Sequence, residues 1–157
     1  MKSTDQPLAE NATLSEFLCF NIYSANLVFG KAYRPILEEL GLTYSQYIAI
    51  ISLWEESPQT VGGLSERLFL ESNTLTPILK RLESMGYLTR QRDPKDERQV
   101  LVSLTESGRQ LPEKALGMSL VEATGLAPDE FVKLQKAIAT LRDNLTLARH
   151  LIQNARG

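Results

Sequence analysis

The sequence predicts a mainly α-helical fold with one small β-hairpin, and three observations carry that prediction. Leu75, Ile78, Leu79 and Leu82 recur at i, i+3, i+4 and i+7, one apolar stripe along a helix that Gly86 ends. Tyr87–Arg92 and Gln99–Leu104 read as strands around a polar stretch, with Val100, Val102 and Leu104 alternating in the second. A short helix of about Val61–Leu68 precedes the stripe, separated from it by the turn Phe69-Leu70-Glu71. Two helices joined by a short turn and followed by a protruding hairpin make a winged helix-turn-helix.

The remaining elements follow in order. Residues 1–12 are polar and expected to be poorly ordered. Ser15 is placed to cap a first helix running to about Leu40, where Gly41 ends it. Pro35 should kink that helix or split off a short second one. Thr43 or Tyr44 opens the next helix, which ends near Glu56 and turns Ile48, Ile51 and Leu53 to the core. Ser57-Pro58 breaks it. Ser72 or Thr74 is the expected N-cap of the striped helix, with Pro77 in its first turns, where a missing N–H costs least. After the hairpin, Thr105 caps a helix to about Thr124, and Gly125-Leu126-Ala127-Pro128 interrupts the chain. The last helix, Asp129 to about Gln153, carries Phe131, Leu134, Ile138, Leu141, Leu145, Ala148 and Ile152 at alternating steps of three and four. Such a seam packs either within one chain or against a second subunit, and a homodimer is the favoured reading. The expected organisation is 13–42 for N-terminal dimerisation and sensor helices, 43–104 for the winged helix-turn-helix and 105–157 for C-terminal dimerisation helices.

Composition narrows the function. The 157 residues are 43% apolar and 23% charged, enough to bury a core. No apolar run is long enough for a membrane span, and the N-terminal residues lack a signal-peptide pattern, so a cytoplasmic protein is expected. One cysteine forms no intrachain disulfide. His150 is the only histidine, and there is no Gly-rich phosphate loop. No metal site, cofactor or enzyme triad is therefore expected.

The net charge of −2 does not itself suggest DNA, but the charge is uneven. Between Ser72 and Arg98, Lys80, Arg81, Arg90, Arg92, Lys95 and Arg98 outnumber Glu83, Asp93, Asp96 and Glu97 by two. By charge alone this is either a solvated mixed surface or a nucleic-acid face. The striped helix and the hairpin after it make double-stranded DNA the leading partner. Its polar face carries Ser72, Asn73, Thr74, Thr76, Pro77, Lys80 and Arg81, short donors and acceptors with cations, suited to base edges and phosphates.

The segment LTPILKRLESMGYLTRQRDPKDERQVLVSLTESGRQL, above all DERQVLVSLTESG, resembles the MarR family of bacterial winged-helix regulators. The resemblance runs from about Phe17 to the C-terminus. Leu18-Cys19-Phe20-Asn21-Ile22-Tyr23, Tyr33-Arg34-Pro35-Ile36-Leu37 and Leu42-Thr43-Tyr44-Ser45-Gln46-Tyr47 narrow it to the organic hydroperoxide sensors (OhrR). It implies a homodimeric repressor on a palindromic operator, released when a cysteine is oxidised by an organic hydroperoxide. It also implies DNA contacts from the polar helix face, from Arg92, and from Arg98 at the wing tip, where Asp96 orients it toward a minor groove. Some of these sensors carry a second cysteine near the C-terminal helices. Ser119–Gly125 and its surroundings hold none, so this chain resembles the single-cysteine type. Oxidised sulfur then ends in a mixed disulfide with a low-molecular-weight thiol or in sulfinic acid.

Cys19 has two readings from residues alone. A lone cysteine in an apolar helix is commonly an inert small hydrophobe. Against that, it lies within about a turn of a helix N-terminus, where the dipole favours thiolate, and Phe17, Phe20 and Ile22 suit an organic oxidant. The resemblance gives Tyr33 and Tyr44, with Tyr23, the role of stabilising the thiolate. The same tyrosines also serve as ordinary amphipathic core residues. A continuous helix would hold Cys19 and Tyr33 about 21 Å apart, so Tyr33 would have to reach the sulfur from the other subunit. Three alternatives remain: a regulator released by a small phenolic ligand with Cys19 inert, a thiol peroxidase, and a winged-helix protein-interaction module. The missing resolving cysteine and the DNA-reading module count against the peroxidase.

Overall fold

The computed structural model describes residues 13–115 and 120–155, which fall into two compact units divided between Gly117 and Met118. In the first unit the chain enters through one 3₁₀ turn, Leu14–Glu16. Thr13, not Ser15, starts it: the Thr13 N–H donates to Glu16 Oε2 at 2.7 Å. Helix α1 then runs Leu18–Leu40, with Phe17 at its N-cap. Pro35 lies inside α1 without dividing it. Gly41 closes the helix at φ 66°, a left-handed turn that costs glycine little, and the Leu42 N–H returns to the Leu37 carbonyl at 2.9 Å.

Helix α2 spans Tyr44–Glu55. Thr43 caps it reciprocally, its hydroxyl accepting from the Gln46 N–H while Gln46 Oε1 accepts from the Thr43 N–H at 3.0 Å. Its buried face is Ala49, Ile50 and Leu53. Ile48 and Ile51, expected in the core, are only half-buried, because the helix is rotated about one residue from that reading. A two-residue strand β1, Gln59–Thr60, was not expected. It is too short for an alternation signal. Helix α3 follows at Val61–Leu68, and Phe69 closes it at φ 55°.

Helix α4 is Ser72–Ser84. Its N-cap is Glu71 rather than Ser72 or Thr74, because the Thr74 and Leu75 N–H groups already bond the Glu71 carbonyl. Strands β2 (Leu88–Asp93) and β3 (Asp96–Leu104) complete an antiparallel sheet of order β1-β3-β2. The second strand begins three residues earlier than expected. Asp93 Oδ1 accepts from the Lys95 N–H at 2.8 Å and closes a two-residue turn at Pro94-Lys95. The register then jumps, from Arg92 opposite Val100 to Asp93 opposite Asp96, so Glu97, Arg98 and Gln99 bulge from the strand.

Leu64, Leu75, Leu79, Leu82, Leu88 and Val102 form the fully buried centre of this unit, with Leu42 and Leu111 packed beside them. Helix α5, Glu106–Ala115, starts at Thr105, whose hydroxyl accepts from the Gly108 N–H at 3.2 Å. In the second unit, α6 is Leu120–Thr124 and α7 is Pro128–Ala155. Gly125 makes the left-handed turn between them at φ 67°. Part of the helix expected from Thr105 to Thr124, residues 116–119, lies outside the described residues, as does the N-terminal segment 1–12.

Candidate functional site

The fold gives α4 one buried and one open face. Leu75, Leu79 and Leu82 fix the first. The second carries Ser72, Asn73, Thr74, Pro77, Lys80 and Arg81, all exposed, with Thr76 half-buried. The Thr76 hydroxyl donates to the Ser72 carbonyl at 2.8 Å. Pro77, also on this face, has no N–H to give the Asn73 carbonyl four residues back.

The wing brings a second set of groups to the same side. Thr76, Arg90 and Arg98 line one groove of about 520 Å³ with the start of α3. Arg98 sits in the bulge of β3 and not at the turn, which Pro94 and Lys95 occupy. Its side chain is 90% exposed, and its Nε donates to Asp96 Oδ1 at 3.0 Å. This hydrogen bond is the main cause holding the Asp96 carboxyl below the usual range. Arg92 is engaged by the wing itself, donating from Nη1 to the Glu97 carbonyl at 2.7 Å.

One contact escaped sequence reading. Glu83, near the end of α4, takes three donors from Arg90 on β2. Arg90 Nη2 and Nε reach Glu83 Oε2 at 2.7 and 3.0 Å, and the Arg90 main-chain N–H reaches Oε1 at 3.1 Å. The Arg90 side-chain hydrogen bond is the largest cause lowering the Glu83 carboxyl. The only sequence signal was a Glu and an Arg bracketing the Gly86 turn.

The thiol site is assembled in part. Cys19 is the second residue of α1, exposed, with Phe17 and Phe20 half-buried beside it in sequence. Because α1 is continuous through Tyr33, Cys19 and Tyr33 stand about 21 Å apart along it. Tyr33 and Tyr44 do meet, with ring centroids 5.3 Å apart, and the Tyr47 ring lies 6.3 Å from that of Tyr33. Burial, then the neighbouring Tyr44 and Tyr47 phenols, pushes Tyr33 above the ordinary phenol range, so it remains a proton donor at neutral pH. Tyr23 is 60% exposed and joins neither ring. Tyr33 and Tyr44 line a groove of about 500 Å³ with Asn26, Leu27, Phe29 and Gly30. Tyr47, which sequence reading did not single out, is marked only by its i+3 spacing from Tyr44.

The seam residues also have clear positions. α7 has no fully buried residue. Leu134, Ile138 and Leu145 are exposed, and Phe131 and Leu141 half-buried. Among the described residues no group of His, Cys, Asp and Glu is arranged to hold a metal. No described helix is long and apolar enough to cross a membrane.

Residues 31–115 match the family model described as transcriptional regulator SarA/Rot. The chain is 40% identical over 138 residues to the organic hydroperoxide resistance transcriptional regulator of Bacillus subtilis (strain 168), covering 87% of this chain and 94% of that protein. The fold matches reduced AbfR bound to DNA with a TM-score of 0.69 at 37% identity, over 85% of this chain and 94% of that one. It also matches overoxidised AbfR bound to DNA, with a TM-score of 0.67 at 37% identity over 83% and 93%.

The chain belongs to the MarR-type winged-helix transcriptional regulators. Within that family it groups with the organic hydroperoxide resistance regulators. In a MarR-type regulator α3 and α4 are the helix-turn-helix and β2–β3 the wing. The open face of α4 and Arg98 thus lie on the second helix of the helix-turn-helix and on the wing. The relatives and the fold are those of regulators rather than enzymes.

Proposed function

We propose that this regulator is a homodimeric repressor that binds a palindromic operator and releases it when an organic hydroperoxide oxidises Cys19. The observation that carries the reading is the meeting of Tyr33 with Tyr44 of α2, toward the opposite end of α1 from the exposed Cys19. In a two-fold dimer pairing α1 with its copy, the Tyr33–Tyr44 pair of one subunit faces Cys19 of the other. The uncovered apolar row of α7 supports such a dimer, since a second copy would bury it. The proposed arrangement assigns dimerisation to residues 13–42 and 105–157 and DNA reading to 43–104.

The chemistry is an ordinary thiolate displacement. The Cys19 sulfur attacks the terminal oxygen of the hydroperoxide, the O–O bond breaks, and the alkoxide leaves to be protonated as an alcohol. Phenolic donors from Tyr33 and Tyr44 stabilise the thiolate beforehand. A low-molecular-weight thiol then attacks the sulfenic sulfur, forming a mixed disulfide and releasing water. The overoxidised neighbour is a DNA complex. That favours the bulky disulfide, and not added oxygen alone, as the releasing state here. The disulfide volume would force close-packed helices apart and change the spacing of the two α4 helices.

Release by a small phenolic ligand is the second reading, favoured by the groove beside Tyr33 and Tyr44. Anisotropy of a labelled duplex selected by the parent chain from a random-sequence library separates the two. With cumene hydroperoxide and cysteine present, release should accompany a mass increase on Cys19. Release by a phenolic acid with Cys19 unmodified supports the second reading.

A further inference from the structure

We infer that Glu83 is a positioning residue for DNA recognition, fixing the wing against the reading helix by clamping Arg90. The inference rests on the reading that α4 and the wing carry the DNA contacts.

The geometry is unusually complete for a surface pair. One carboxylate receives two side-chain nitrogens of Arg90, Nε and Nη2, and the main-chain N–H of the same residue. The side-chain bonds can be made by any mobile arginine, but the main-chain bond fixes the strand. Strand β2 is the outer strand of the sheet, so its outward N–H groups have no strand neighbour. Glu83 fills that place at Arg90, from the end of α4. The carboxylate therefore joins the helix directly to the strand that precedes the turn and the Arg98 bulge. Arg90 and Arg98 line the same groove as Thr76 of α4. A shift in the angle of β2 would carry Arg98 away from the face that α4 presents.

Plain electrostatics gives the opposite expectation. Glu83 is a negative charge on a DNA-facing module, and its removal would free the Arg90 guanidinium. Both changes should tighten binding to phosphates. The clamp predicts weakening. The sign of one mutation thus separates the two accounts.

The test uses the full chain on the selected duplex, with affinity read by anisotropy at fixed salt. Parent binding to that duplex checks the DNA-reading assignment by itself. Glu83→Ala should weaken binding by about threefold or more, and the weakening should vanish when Arg98 is already alanine, since neighbours acting through one contact are not additive. Glu83→Gln keeps an acceptor for the main-chain N–H and should recover part of the loss; it also carries the test if the alanine variant does not fold. Unchanged or tighter binding by a folded Glu83 variant overturns the inference. So does an equal loss in the parent and the Arg98→Ala background, which would mean a general structural effect.

Discussion

Tyr33 of α1 and Tyr44 of α2 stand with ring centroids 5.3 Å apart and planes tilted by 53°. The contact is made by the turn at Gly41 and the cap at Thr43, which fold α2 back beside α1. Two phenols are thereby brought to the edge of one open groove. In the proposed dimer they are the donors to the partner's thiolate. Tyr33→Phe and Tyr44→Phe should each bind DNA like the parent but react with cumene hydroperoxide about tenfold more slowly, the scale of a lost hydrogen bond to a charged group. Stopped-flow oxidation followed by anisotropy checks this. Equal oxidation rates in all three proteins would remove the tyrosines from the chemistry.

Arg98 projects from the β3 bulge, 90% exposed and held by Asp96. Arg98→Ala should weaken binding to the selected duplex by about 1–3 kcal/mol without changing the assembly state. Affinity unchanged near physiological salt would exclude a groove contact.

Much of this was legible because spacing encodes it. The α4 stripe, the bounds of α3, the Gly41 and Gly86 stops and the Thr105 cap rest on local rules, and local rules can be read from a sequence. What was not legible depends on partners distant in sequence. β1 exists only because β3 pairs with it. The Glu83–Arg90 clamp needs the hairpin to return along α4, and Arg98 left the wing tip because Asp93 closed a shorter turn.

Gly108 explains part of the TESG segment that carried the family resemblance. A Cβ there would lie 2.0 Å from the Tyr87 carbonyl oxygen, which already accepts from the Thr105 N–H at 3.1 Å. The Thr105 hydroxyl adds a bond to the Gly86 carbonyl at 2.7 Å. Gly108→Ala must push α5 from the turn that ends α4. It should lower stability by about 1–3 kcal/mol, as overpacking does. Chemical denaturation checks it, and a midpoint equal to the parent's would mean that the junction yields freely.

Leu141 lies in the apolar row of α7. A carboxylate there would be buried without a partner if a second subunit covers the row. Leu141→Asp should therefore dissociate or unfold the dimer and abolish binding to a two-half-site duplex. Sedimentation velocity gives the assembly state; a mutant still dimeric would place the interface elsewhere.

Cys19→Ser tests the central claim most directly. Serine keeps nearly the volume of cysteine but cannot be oxidised to a sulfenic acid or joined in a disulfide. The measurement is an anisotropy titration on the selected duplex, before and after cumene hydroperoxide with free cysteine, for the parent and the mutant. The account predicts equal affinity before oxidant, release by the parent, and retention by Cys19→Ser. Release by Cys19→Ser to the same extent as the parent would contradict it.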